Sequence, residues 1–438
     1  MNGRAGPGGK ETGLAEVVII GAGAAGLMAA GAAARQGHRV TVLEHTGKPA
    51  QKILITGKGR CNLTNDCGEE EFLRHVRTNP RFLYSALTAF PPAKTKELFE
   101  GLGVRLKVER GRRVFPVSDR AEEIRQALLR YAADAQIVYD RAARLILEPL
   151  TAEAAPEEGA KKKKAPPAFR CAGVKGTSGR EYRADAVLVA TGGLSYPTTG
   201  STGDGYKLAR QAGHTIVDPA PSLVSLVSHD PDCKKMMGLA LKNVSLTLFE
   251  DRKAIFTEQG EMLFTHFGIS GPLTLSASSH LGDMKKHRYK AEIDLKPALD
   301  EETLYNRITR DFSLLANHAA QGALAKLLPA SMQPVMVGRW GIDPATRANQ
   351  ITREQKRELV RLCKHWEVPI DDRGDLAHAV ITSGGVSVKE VDPRTMESKK
   401  ARGLYFAGEV LDVDGYTGGY NLQIAFCTAQ SFARGLEG

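Results

Sequence analysis

Three short glycine-bearing turns hold the residue types from which nucleotide chemistry is built. The first is Gly21-Ala22-Gly23-Ala24-Ala25-Gly26, a G-x-G-x-x-G series. In such a series the first glycine allows a tight turn. The second lets the backbone approach a pyrophosphate, and the third lets a helix lie close to a strand. Ala24 and Ala25 complete that turn ahead of the helix, whose first amides face the anion. Glu44, eighteen residues beyond Gly26, is placed to accept hydrogen bonds from an adenosine ribose. Just after it, Gln51–Asn65 reads as a loop able to wrap a diphosphate. Lys52 or Lys58 would bring charge, Arg60 a fork, Gly57 and Gly59 their N–H groups, and Cys61 and Asn62 lie in the same run. A basic surface loop is the plainer alternative.

The other two turns are Ala190-Thr191-Gly192 and Ala407-Gly408-Glu409, more than two hundred residues apart. Each alone could be an ordinary strand-end turn, but a nicotinamide dehydrogenase needs neither, and their order resembles that of two-dinucleotide-fold flavoproteins, which implies FAD over NAD. Glu409 would set a carboxylate against the ribityl and phosphate region. Gly418-Gly419-Tyr420-Asn421-Leu422-Gln423 leads into a helix whose first amides would face the flavin and stabilise its reduced ring. A flavin supplies the hydride, so the protein has only to position a substrate and provide a proton. The candidates are Cys61 (with Arg60 to lower its pKa), Tyr416 and Tyr420 around the glycine pair, and His266 in Phe264–Gly268; for each, packing is the plainer role. Asp412 and Asp414 could bond a polar ring or cap their loop. Asp204, in Gly200–Gly205, is expected to N-cap a supporting helix. There is no second G-x-G-x-x-G, so NADPH or NADH would dock transiently as electron donor, or another reductant would serve. The six cysteines form no CxxC pair, and no metal is expected.

These residues need a scaffold of parallel strands. Glu16–Ile20 reads as a strand buried on both faces, Leu27–Gln36 as an Ala-rich helix and Arg39–Glu44 as a second strand. Ala186–Ala190 and Gly403–Ala407 are further buried strands, and Asn421–Arg434 a closing helix. Between these ends, Leu223–Phe264 alternates like half-exposed antiparallel strands. From Gly268 to Trp366 helical patterns dominate, with Thr352 and Gln355 spaced as a capping box. The expected fold class is α/β: a discontinuous Rossmann-like FAD domain (1–196 and 384–438), a β-rich inserted domain (197–267 and 367–383) and a mostly helical domain (268–366).

The 438 residues are 42% hydrophobic and 25% charged, which excludes wholesale disorder and a coiled coil. No apolar run is long enough to cross a bilayer, and Val17–Ala34, broken by glycines, makes a poor signal peptide; a cytoplasmic residence without a membrane partner is expected. The net charge of +10 permits an anionic partner. Arg105, Lys107, Arg110, Arg112 and Arg113 face only Glu109 within Arg105–Arg113. The Lys161–Lys164 run sits in an Ala/Glu/Lys/Pro-rich segment that reads as a flexible insertion.

Six motifs in order make a specific resemblance. They are the first glycine turn, G-R-C-N-x-T-N, Ala190–Gly205, Glu261–Pro272, Thr382–Val386 and Ala407–Gln423. The series resembles the BaiN/RdsA-like family of FAD-dependent oxidoreductases over roughly Val17–Arg434. That resemblance implies a two-dinucleotide-type FAD domain, a β-barrel-like insertion and a small helical domain. It also implies reduction of an activated C=C bond, in ribosomal RNA uracil or an oxo-steroid, or oxidation of a small amino ketone. Uracil to dihydrouridine in 23S ribosomal RNA is the preferred expectation, and a small-molecule flavin oxidase or enone reductase the alternative.

Overall fold

The computed structural model describes residues 14–150 and 167–437, so the Lys161–Lys164 run lies outside the described residues. The chain gathers into two compact units, Met1–Ala220 with Ile381–Gly438, and Pro221–Val380.

The first unit is built on strands β1 (Glu16–Ile20), β2 (Arg39–Glu44), β3 (Thr64–Asn65), β4 (Leu106–Glu109), β5 (Arg113–Pro116), β6 (Gln136–Tyr139), β7 (Ala186–Val189) and β8 (Leu404–Phe406). Five of them form one parallel sheet, in the order β8-β7-β1-β2-β6. Val17, Val18, Ile19 and Ile20 are buried, as a run of β-branched residues covered on both faces must be. Helix α1 (Ala24–Arg35) follows β1 directly, and Ala25 to Ala33 are buried because their small side chains let it lie flat on the sheet. It starts three residues earlier than Leu27, with Gly23 as its N-cap.

The segment read as a loop is partly helical. Gln51–Ile55 forms α2, Thr56–Gly59 a 3-10 turn, and β3 follows. Burial of Ile53 against the helix Ala121–Tyr131 accounts for the ordered turn. β3 pairs with β5, and β5 with β4, in a small antiparallel sheet whose β4–β5 connection is Arg110–Arg112. Helix α3 (Asp204–Gln211) supports the second glycine turn. Its N-cap is Gly203, not Asp204, which sits one residue inside the helix. There Asp204 pairs with Arg141 (2.6 Å) and Lys207 (3.2 Å), a placement in the first turn that suits the helix dipole.

The second unit holds a seven-stranded antiparallel sheet, in the order Trp366–Ile370, Tyr289–Asp294, Ala240–Glu250, Lys253–Thr265, Gly268–Ser270, Leu226–Val227 and Asp372–Arg373. Leu241, Val244, Leu246 and Leu248 are buried, which gives the strand its alternating text. Helix α4 (Arg353–Lys364) begins with the expected capping box. Thr352 Oγ1 accepts from the Gln355 N–H at 3.2 Å, and Gln355 Oε1 accepts from the Thr352 N–H at 2.8 Å.

Helix α5 (Tyr420–Gly435) returns to the first unit and packs on α1.

Candidate active site

All but one of the candidate catalytic and cofactor-binding residues lie in the first unit, and the turns that carry them are brought together there. At the first glycine turn, a Cβ on Gly26 would stand 1.9 Å from the Gly21 carbonyl oxygen, so only glycine lets α1 approach β1 this closely. A Cβ on Gly23 would meet nothing within 4 Å. Open space therefore faces the N-terminus of α1, where no side chain caps the free amides. That cradle fits a dinucleotide pyrophosphate. Glu44 is buried, and its carboxylate accepts from the Ala22 N–H (2.9 Å) and the Thr46 N–H (2.6 Å). It thus ties the turn to the end of β2.

The second and third turns meet in a polar cluster. Glu409 Oε2 lies 2.7 Å from Lys52 Nζ, and Glu409 Oε1 accepts from Ser195 Oγ (2.5 Å) and the Thr382 N–H (2.9 Å). Lys52 also donates to Ser195 Oγ at 2.6 Å. Thr382 Oγ1 accepts from the Leu194 and Ser195 amides at 2.8 and 3.0 Å. Burial opposes the charge on Glu409, but the Lys52 ammonium and these hydrogen bonds outweigh it and hold the carboxyl below its usual range. Ala190 borders Gly21, Thr191 abuts Gly205, and Gly192 lies against Ser201. Gly408 donates its N–H to Thr428 Oγ1 of α5 at 3.0 Å. Ser195 and Thr382 had no assigned role in the sequence, although Ser195 stands inside the Ala190–Gly205 motif and Thr382 opens T-S-G-G-V.

The start of α5 is held from below. Gly419 has φ 97°, and a Cβ there would fall 2.4 Å from the Thr64 backbone. Turned to satisfy its amide, Asn62 accepts from the Gly419 N–H at 3.1 Å. Gln423 is wholly buried. Its Oε1 accepts from Thr64 and Thr95, both at 2.7 Å, and its Nε2 donates to the Phe90 carbonyl at 2.9 Å. Its side chain is a tie between segments, not an open donor for a ring. Asn421 likewise closes its own loop through both Gly415 backbone groups, at 2.8 Å each, and Leu422 packs on the core.

Arg60 and Cys61 depart from expectation. The Arg60 fork is occupied by Glu109 and Asp119 and lies over the Phe115 ring at 4.2 Å, so it is not a free diphosphate ligand. Gly59 is exposed beside it. Nor does Arg60 activate Cys61: the thiol is fully buried, and burial pushes its pKa up to about 12. Cys61 is a neutral packed thiol. Tyr420 is buried, stacked on His75 at 4.7 Å with Phe72 edge-on at 5.1 Å. Tyr416 is half-buried and meets His75 edge-on at 6.0 Å. His266 is in the second unit, exposed between two strands, with its ring against Phe267. Asp412 and Asp414 are buried. Asp412 has its pKa raised by burial and by Asp414, against the hydrogen bond it accepts from Asn79 (3.0 Å).

Comparison with known proteins matches this arrangement to a family. The model described as HI0933-like protein Rossmann domain matches residues 15–435. The 3-dehydro-bile acid delta(4,6)-reductase of Clostridium scindens is 31% identical over 414 residues, 94% of this chain and 96% of its own length. The ribosomal RNA dihydrouridine synthase of Escherichia coli is 31% identical over 423 residues, 96% and 98% of the two chains. That of Haemophilus influenzae is 31% identical over 418 residues, 95% and 97%. The chain is therefore a member of the HI0933-like family of FAD-dependent oxidoreductases.

Proposed function

We propose that this enzyme reduces an activated C=C bond, and that the bond is that of uracil in 23S ribosomal RNA, giving dihydrouridine. Bound FAD would supply a hydride to one carbon, with NADPH or NADH returning the two electrons. The residues of the chain hold the cofactor and bring a proton to the neighbouring carbon. Gly21, Gly23 and the amides opening α1 would hold the pyrophosphate, and Glu44 the ribose. Lys52 with Glu409 would hold the ribityl region, and the start of α5 the ring. Among the proton-donor candidates of the first unit, Cys61 and Tyr420 are enclosed by packing, whereas Tyr416 keeps partial exposure. Tyr416 is the donor this reading favours.

Charge is the observation that carries the choice of RNA. The chain has a net charge of +10, and within Arg105–Arg113 the residues Arg105 and Arg110 stay exposed, with no carboxylate partner among the described residues. A polyanion engages that excess more fully than a single small ring does. The bile acid reductase, equally similar, supports the reductase form of the second reading, a small-molecule enone reductase.

Mass spectrometry of ribosomal RNA from a deletion strain tests the choice. Loss of one dihydrouridine, restored by the wild-type gene, is the expected result, and unchanged dihydrouridine removes the RNA assignment. Tyr416→Phe should restore it about 100-fold more slowly, at undiminished flavin content.

A further inference from the structure

The loop from Asp412 to Gly419, which leads from the third turn into α5, is gripped along its length by two other segments of the first unit. Residues 75–79 hold its first half. Asn79 Nδ2 donates to the Asp412 carbonyl at 2.8 Å, the Arg77 and Thr78 amides donate to the Asp414 carbonyl at 2.8 and 3.2 Å, and the Tyr416 N–H donates to the His75 carbonyl at 2.9 Å. The β3–β5–β4 sheet holds its second half. Asn65 Nδ2 donates both to the Gly418 carbonyl (3.1 Å) and to the Gly111 carbonyl (3.0 Å), which joins the tip of the β4–β5 hairpin to the glycine pair.

Both gripping segments carry exposed arginines. Arg77 and Arg81 lie on or just after the first, and Arg105 and Arg110 border β4 in the second. None of the four has a carboxylate within ion-pair distance among the described residues. The nearby acids are already engaged: Glu70 by Arg74, Glu71 by Arg112, Asp66 by Lys96, and Glu109 and Asp119 by Arg60 and Lys107. Local pairing therefore leaves positive charge uncompensated at Arg77, Arg81 and Arg110 on the gripping segments, and at Arg105 at the far end of β4, roughly 16 Å of strand away from the tip. Arginine is the side chain that meets phosphate with a planar two-pronged fork. A small anionic substrate uses one or two such forks, whereas four on two separate segments suit an extended polyanion.

We infer that Arg77, Arg81, Arg110 and Arg105 form a phosphate-contacting rim that starts beside the Asp412–Gly419 loop, runs along β4 and holds a single-stranded stretch of RNA. The inference rests on RNA being the substrate. It also accounts for how a uracil, which must leave its stack to be reduced, is kept near Tyr416 once it is out.

The test is fluorescence anisotropy of a short uridine-containing single-stranded RNA on flavin-loaded enzyme, over a range of salt concentrations. Each phosphate contact on a single strand contributes about 0.7 to the slope of log affinity against log salt. Arg77→Ala/Arg81→Ala and Arg105→Ala/Arg110→Ala should each lower the slope by about 1.4 and weaken binding about tenfold at low salt. Flavin absorbance and melting temperature should not change. The corresponding lysine variants should keep the wild-type slope, and Arg353→Ala, in α4 of the second unit, should match wild type. Wild-type binding with unaltered slopes in both double variants overturns the rim but leaves RNA as substrate. A wild-type enzyme that neither binds the RNA nor forms dihydrouridine in ribosomal RNA overturns both.

Discussion

Lys52 and Glu409 show how much a single pair of side chains decides here. Both are largely enclosed, with 24% and 14% of the side chain exposed. Removing one partner strands the other in a poorly solvated site. Lys52→Met should destabilise the protein by about 3 kcal/mol, and Lys52→Met/Glu409→Gln should recover part of the loss, both read from denaturant midpoints. The pH dependence has a defined sign. The folded pKa of Glu409 is lowered, so its contribution is complete above the unfolded value of about 4.3 and disappears as pH falls through the folded one. Wild type should exceed Glu409→Gln by about 2 kcal/mol at neutral pH, and the gap should close below about pH 4. The sequence made Glu409 legible through its turn and Lys52 through its charge. It could not reveal that they are partners, because 357 residues separate them. The same blindness misread Arg60, whose acids are 49 and 59 residues away. Nor could the sequence show that the Gln423 side chain ties Thr64, Thr95 and Phe90 together, because a buried polar amide has to find donors and acceptors of its own from distant segments.

At the scale of elements, local text was informative wherever periodicity and burial agree. The buried strands β1, β7 and β8, the Ala-rich α1, the capping box of α4 and the start of α5 all follow from short-range patterns. Gln51–Ile55 was missed as a helix because its stability comes from packing Ile53 on a helix far along the chain. The strand–turn–helix unit also separates two functions of glycine that the motif writes alike. Gly26→Ala drives a methyl group into the Gly21 carbonyl and should lower the melting temperature of the flavin-free protein. Gly23→Ala meets open space, so the flavin-free protein should melt as wild type does. Its methyl group would stand where the pyrophosphate must come close, and flavin retention on gel filtration should drop. Equal melting losses in the two variants would contradict this division of labour.

At the scale of the molecule, one buried histidine sets a limit on acid tolerance. His214 follows α3, with Nε2 2.7 Å from Ser398 Oγ and its ring edge-on to Phe406 at 4.8 Å. Burial lowers its pKa to about 4; Glu390, 3.3 Å from Nδ1 but not aligned for a hydrogen bond, opposes that shift, and Lys400 adds to it. The unfolded chain therefore takes up a proton on this ring before the folded one does. Stability contributed by neutral His214 is complete above about pH 6.5 and is lost as pH falls toward 4, by about 3 kcal/mol in all. Urea unfolding of His214→Gln should show a flatter dependence across that window. The β-rich and helical texture of the second unit was readable from alternation. The way residues 381–438 return to complete the first unit was suggested only by the recurrence of strand–glycine text at both ends.

That return has a consequence for biosynthesis. Strand β8, the acidic third turn and α5 all belong to Ile381–Gly438, so the parallel sheet lacks one edge until the chain has passed through the second unit and come back. Until then Lys52 waits without its counter-ion and the glycine turn without its opposite wall. Acquisition of the yellow prosthetic group would therefore report that both pieces of the first unit have met, and a chain stopped before residue 381 would stay colourless and protease-sensitive.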